Sequence, residues 1–201
     1  MRRDHAGAGD RRGGCVRFAR VELTELEVDG VEAAYSVDGP PGLAVVAAAL
    51  GAFGSKPDLV VFGVNAGINR GQSVVHSGTV GAALTARTVG SHGLAVSVDA
   101  SDPWHWETAI AIALSAVDWV LGHASPRAVL NLTAPALPLS EVRGIRWADL
   151  DESGHLRVAV ADLPGSRLEY DVRGSASGLY PASDTALCFD GYATGDTAVA
   201  G

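Results

Sequence analysis

The strongest constraint on the fold is an alternation of short apolar runs with longer helical ones across the middle of the chain. Asp58-Leu59-Val60-Val61-Phe62 is a continuous apolar run with turn residues on both sides, the pattern of a parallel strand covered on both faces. A Gly/Asn loop (63–76) follows, then a helical stretch at about 77–89 stopped by Gly90, a strand at 94–98, a helix at about 105–121 and a strand at 128–132. Strand, helix, strand, helix, strand predicts a mostly parallel, doubly wound α/β sheet of Rossmann-like type.

The flanks read differently. Runs at 16–21 and 31–37 are strand-like, and Asp29-Gly30 between them is a two-residue hairpin signal. Pro40-Pro41-Gly42 opens an Ala/Val/Leu stretch to Leu50, a predicted helix whose prolines sit in the first turn, where no amide donor is missed. After Ser140 the runs at 142–147, 156–160 and 168–172 alternate and predict antiparallel strands. The expected plan is a tail at 1–14, one α/β domain at 15–195 with an antiparallel extension at about 140–180, and a tail at 196–201.

Composition narrows the function classes. A hydrophobic content of 47% supplies the burial a folded domain needs. A formal charge of −8 argues against a nucleic-acid polymer as partner, since phosphate-backbone binding needs clustered Lys and Arg. A small-molecule substrate is expected instead. Cys15 and Cys188 lie far apart with no Cys-x-x-Cys spacing, so neither a disulfide framework nor a zinc site is indicated. No apolar run reaches membrane-spanning length, and the expected location is the cytoplasm with no membrane partner.

In an open α/β sheet, ligands bind outside the carboxyl ends of the strands. Here the loop after the 58–62 strand is Gly63-Val64-Asn65-Ala66-Gly67-Ile68-Asn69-Arg70-Gly71, whose glycines let backbone approach a ligand. It ends at His76-Ser77-Gly78-Thr79, directly before the helix. Ser77 is a candidate N-cap, and the amides of Gly78 and Thr79 sit at the positive end of a helix dipole, an anion site. Asn65 and Asn69 flank that site, offering a hard oxygen to Mg²⁺ or Mn²⁺ and an amide donor to phosphate. Gly/Asn loops are also good turns in their own right. Trp104-His105-Trp106 reads as a packing anchor before the next helix, with base stacking as the alternative. Asp99 reads as a solvated loop residue.

The run Pro57 to Gly67, followed by Asn69, Gly71, Ser77-Gly78-Thr79-Val80 and Leu94-Ala95-Val96-Ser97, resembles the SurE family of 5′/3′-nucleotidases. Weaker echoes are Gly39-Pro40-Pro41, Asn131, Ser183-Asp184 and Gly191-Tyr192. The resemblance implies a SurE-like fold and metal-dependent hydrolysis of nucleoside 5′- or 3′-monophosphates. It places Asn65 at a divalent metal, Mg²⁺ or Mn²⁺, and Asn69, Ser77, Gly78 and Thr79 at the phosphate, and it implies a homodimer or homotetramer.

The departures from the family pattern are specific. The family's Asn-Asp-Asp-Gly turn, which supplies two metal carboxylates, has no match in this sequence, and Gly13 falls where the family places a metal-binding serine. By that comparison the chain is expected to start after the family's first strand and helix, to bind metal weakly, and to leave neighbouring strands unpaired at a sheet edge. A catalytically impaired remnant that keeps the phosphate loop is the alternative reading.

Overall fold

The computed structural model describes residues 21–152 and 179–197, and two compact units are distinguished, Met1–Gly39 and Pro40–Gly201. In the first unit, strands β1 (Leu23–Leu26) and β2 (Ala34–Val37) pair antiparallel with Leu23 opposite Val37 and Leu26 opposite Ala34. The hairpin forms where Asp29-Gly30 predicts it, but its loop is longer than two residues. The Val31 amide donates to Val28 O at 3.1 Å, and within that turn only Gly30 takes a positive φ, of 75°. A type I′ turn needs positive φ at both central residues, so Asp29 does not adopt it. The run expected at 16–21 lies almost wholly outside the described residues.

The second unit opens with helix α1 (Pro41–Ala49), with Pro41 in its first turn as predicted. Strand β3 (Leu59–Ala66), helix α2 (Gly78–Thr88), strand β4 (His92–Val98), helix α3 (Trp106–His123) and strand β5 (Val129–Ala134) follow in the alternation read from the sequence. Strand β6 (Ile145–Trp147), the short helix α4 (Asp184–Phe189) and strand β7 (Ala193–Asp196) complete the described chain. The sheet order is β3-β4-β5-β7-β6.

Strands β3, β4 and β5 are parallel to one another, while β7 runs antiparallel to β5 and parallel to β6. Three layers result because the strands alternate their side chains. Leu94, Val96 and Val98 of β4 and Leu130 and Leu132 of β5 pack against Ala109, Ile112, Ala116 and Val120 of α3. On the opposite face Ala95 and Val129 meet Val80 and Ala83 of α2. Behind them Val45 of α1 packs on Ala82 and Ala86, with Val60 and Phe62 of β3 against that cluster. This is a doubly wound α/β fold with a mixed sheet.

Three sequence expectations change. The 142–147 run was read as antiparallel, yet β6 is a three-residue strand parallel to β7, and the antiparallel contact is β7 against β5. The 156–160 and 168–172 runs lie outside the described residues. Asp196, assigned to a tail, is the buried last residue of β7. Finally, the sequence predicts β3 covered on both faces, but among the described strands it stands at the sheet edge and its Val61 is 46% exposed.

Candidate functional site

The expected Gly/Asn loop begins later than the sequence suggests. Strand β3 runs on to Ala66, with a register shift between Phe62 and Asn65 that takes up Gly63 and Val64 before pairing resumes at Asn65 with Ser97. Asn65 therefore stands on a strand end, a firmer mount than a loop. Its Nδ2 donates to Gly67 O at 2.9 Å, which leaves Oδ1 as the atom able to meet a ligand.

Beyond it, three consecutive residues are fixed by side chains from three other parts of the unit. The Asn69 carbonyl accepts from Asn131 Nδ2 at 2.8 Å. The Arg70 guanidinium pairs with Asp99 Oδ2 at 3.3 Å and lies 5.1 Å from the Phe189 ring centroid. The Gly71 amide donates to Asp184 Oδ2 at 2.6 Å. Gly71 has φ +52°, and a Cβ there would lie 2.7 Å from Asp151 O, so both conformation and space call for glycine. Asn69 is 4% exposed and its Nδ2 has no partner among the described residues, a buried donor of the kind a ligand oxygen satisfies.

Residues Gly71–His76, expected as loop, form a 3-10 helix that delivers the chain to α2. Ser77 caps that helix as predicted, its Oγ accepting from Val80 N at 3.2 Å. The Ser77 carbonyl takes the first intrahelical bond, from Gly81 N at 2.9 Å. Gly78 and Thr79 thus sit in the first turn, where backbone amides have no intrahelical acceptor and face the positive pole of the helix. A Cβ on Gly78 would come within 3.3 Å of Pro41 Cγ, so α1 closes one side of this turn.

The remaining titratable groups are shaped by burial. Burial pushes the Cys188 thiol up to about 11, only partly offset by Arg70, so the sulfur is a neutral packing group rather than a nucleophile. Burial also raises Asp196 to about 7, against the lowering effect of its bond from Asn131 Nδ2 at 2.8 Å.

The five residues singled out from sequence occupy one stretch from the end of β3 to the first turn of α2. Sequence reading gave no site role to Asn131, Asp99 or Asp184. A polar Asn131 within the apolar run Ala128 to Leu132 was the available signal for the first. Asp99, read as solvated, instead holds a guanidinium that is 6% exposed. The Trp pair stacks with centroids 5.2 Å apart, and Trp104 packs against the α3 core, in line with an anchor.

The family model described as Survival protein SurE matches residues 11–155, most of the chain. The chain belongs to the SurE family. It is 38% identical over 130 residues to the 5′-nucleotidase SurE of Histophilus somni (strain 2336), covering 64% of this chain and 50% of that protein. To the 5′-nucleotidase SurE of Alkalilimnicola ehrlichii it is 35% identical over 162 residues, covering 79% and 63%. The SurE protein from Aquifex aeolicus superposes with a TM-score of 0.72 at 25% identity, covering 89% of this chain and 73% of the other. The chain spans about half the length of the first of these SurE relatives.

The cation implied by the SurE resemblance takes about six or more oxygen ligands, carboxylates prominent among them. Of the metal ligands expected from that family, the described residues provide Asn65 Oδ1, and among them no group of three or more His, Cys, Asp or Glu stands where it could hold an ion. By themselves they do not fit a hard dication. What they show is a Ser77-capped first turn of α2, with one neutral side-chain oxygen, that of Asn65, at the end of β3.

Proposed function

We propose that this chain acts in the metal-dependent hydrolysis of phosphomonoesters, with nucleoside 5′- and 3′-monophosphates as the substrate class, and that its own residues are the phosphate-binding part of the machinery. One observation carries the reading: the first turn of α2, capped by Ser77, has the Gly78 and Thr79 amides at the end of a loop whose Asn69 Nδ2 is buried without a partner among the described residues. Those donors suit the oxygens of a phosphate dianion, and the helix dipole favours its charge. In this role Ser77 orders the turn, Gly78 leaves the backbone open to the anion, and Asn69 donates to a phosphate oxygen.

Asn65 Oδ1 is the one oxygen this stretch offers to Mg²⁺ or Mn²⁺, as the resemblance implies. A homodimer or homotetramer in the cytoplasm completes the proposal; among the described residues no helix is long and apolar enough to cross a membrane.

The test compares AMP with adenosine by calorimetric titration. AMP binding competed by inorganic phosphate, with adenosine at least tenfold weaker, is the expected result. Equal affinity for the two would remove the phosphate from the recognition and overturn the reading.

A further inference from the structure

Helix α4 begins with two side chains that take different tasks. Ser183 is its N-cap, Oγ accepting from Ala186 N at 3.2 Å, so the helix start is already satisfied. Asp184, next in sequence, is wholly buried. A buried carboxylate is costly unless hydrogen bonds replace its water. Its Oδ1 accepts from Thr185 N at 2.7 Å, Thr185 Oγ1 at 3.2 Å and Asp151 N at 3.1 Å, and its Oδ2 accepts from Gly71 N at 2.6 Å. Only the Thr185 bonds are local. The other two reach residues 113 and 33 positions away, and the shorter of them ends on the loop that carries Asn69.

Two residues earlier, Asn131 Nδ2 holds the carbonyl of Asn69. Asn131 is itself fully buried and also bonded to Asp196 Oδ2 at 2.8 Å, so it is fixed from behind. The short segment Asn69–Gly71 is thus clamped at its first and last backbone groups by side chains from β5 and α4. Without these bonds a stretch between a strand end and a 3-10 helix would have several conformations open to it, and holding one of them in advance removes ordering cost from ligand binding.

We propose that Asp184 and Asn131 are positioning residues of the phosphate site, a two-point clamp that fixes Asn69 and the approach to the Ser77-Gly78-Thr79 turn. This rests on the phosphate-site reading above. The clamp ties the two halves of the sheet together functionally: strands β3 and β4 present the site, and the β5, α4 and β7 side holds its loop.

The experiment measures inorganic phosphate affinity, the hydrogen-exchange protection of the Gly71 amide, and the unfolding midpoint for four proteins. In Asp184→Asn the amide group turns a donor toward Gly71 N–H or loses half of the acceptor set. Expected are a loss of phosphate affinity of at least tenfold and loss of Gly71 protection. Val120→Ala, a cavity on the buried face of α3, lowers the midpoint and leaves both other readouts unchanged. Asn131→Ala removes the second point and weakens phosphate similarly, which keeps the proposal testable if Asp184→Asn does not fold. In Ser77→Ala/Thr79→Ala phosphate affinity falls while Gly71 protection stays.

A lowered midpoint with unchanged phosphate affinity in Asp184→Asn, or in Asn131→Ala where the first variant does not fold, overturns the clamp and leaves the phosphate-site reading standing. Weakening in Asp184→Asn with no effect of the Ser77/Thr79 substitutions overturns that reading instead. No phosphate binding by the unmodified chain overturns both.

Discussion

Asn65 spends its Nδ2 on Gly67 O, so an alanine there removes a turn contact and the ligand oxygen together, whereas aspartate keeps an oxygen and adds charge. With this one neutral oxygen and no cluster of metal-ligating side chains among the described residues, Mn²⁺ is expected to leave AMP binding unchanged. Asn65→Asp, by adding charge, is expected to let Mn²⁺ tighten AMP binding and EDTA reverse the effect; titrations with and without Mn²⁺ check both. Ser77→Ala removes the cap bond to Val80 N, and loss of such a cap costs about 1 kcal/mol, read from denaturant unfolding. Ser77, Gly78 and Thr79 were legible in the sequence because N-capping is local chemistry: a Ser before a small-residue helical run announces itself. Asp184 was not, because its bond to Gly71 spans a separation of 113 residues that no local pattern encodes.

Among elements, the contact of α2 with β4 is set by Gly93, whose added Cβ would overlap the Ala83 carbonyl and backbone. Gly93→Ala therefore forces helix and strand apart and is expected to cost at least 2 kcal/mol in unfolding experiments, since neither side can give way by rotating a side chain. Strand β7 carries a pH dependence. In the fold Asp196 keeps its proton up to about 7, while unfolded it ionises near 3.8, so the folded state binds the extra proton between those values. The contribution of this one group is full below about pH 4 and is lost as pH rises to about 7, roughly 4 kcal/mol in the limit. Asp196→Asn should flatten that slope in melts recorded from pH 4 to 8, and an unchanged slope would refute the assignment. The parallel core was readable because apolar runs alternate with helical ones. The end of β3 was not, since Gly63 reads as a breaker while the backbone takes one extra residue into a register shift. Nor was the direction of β6, which depends on its pairing with β7 and not on its own three residues.

At the scale of the whole molecule, the edge position of β3 matters most. Among the described strands its hydrogen-bonded neighbour is β4, on one side, and its Val61 is 46% exposed. Exposed apolar edges associate. Val61→Lys should lower concentration-dependent self-association in sedimentation velocity without lowering the unfolding midpoint. The same edge is where the carboxyl end of β3 opens toward the first turn of α2, so the account turns on whether that turn holds an anion. The most direct measurement is titration of the ¹⁵N-labelled chain with inorganic phosphate, followed at the Gly78 and Thr79 amides. Saturable downfield shifts at both, abolished at the backbone amides of both positions in Ser77→Ala/Thr79→Ala, are predicted; no movement of either amide at millimolar phosphate would contradict the account.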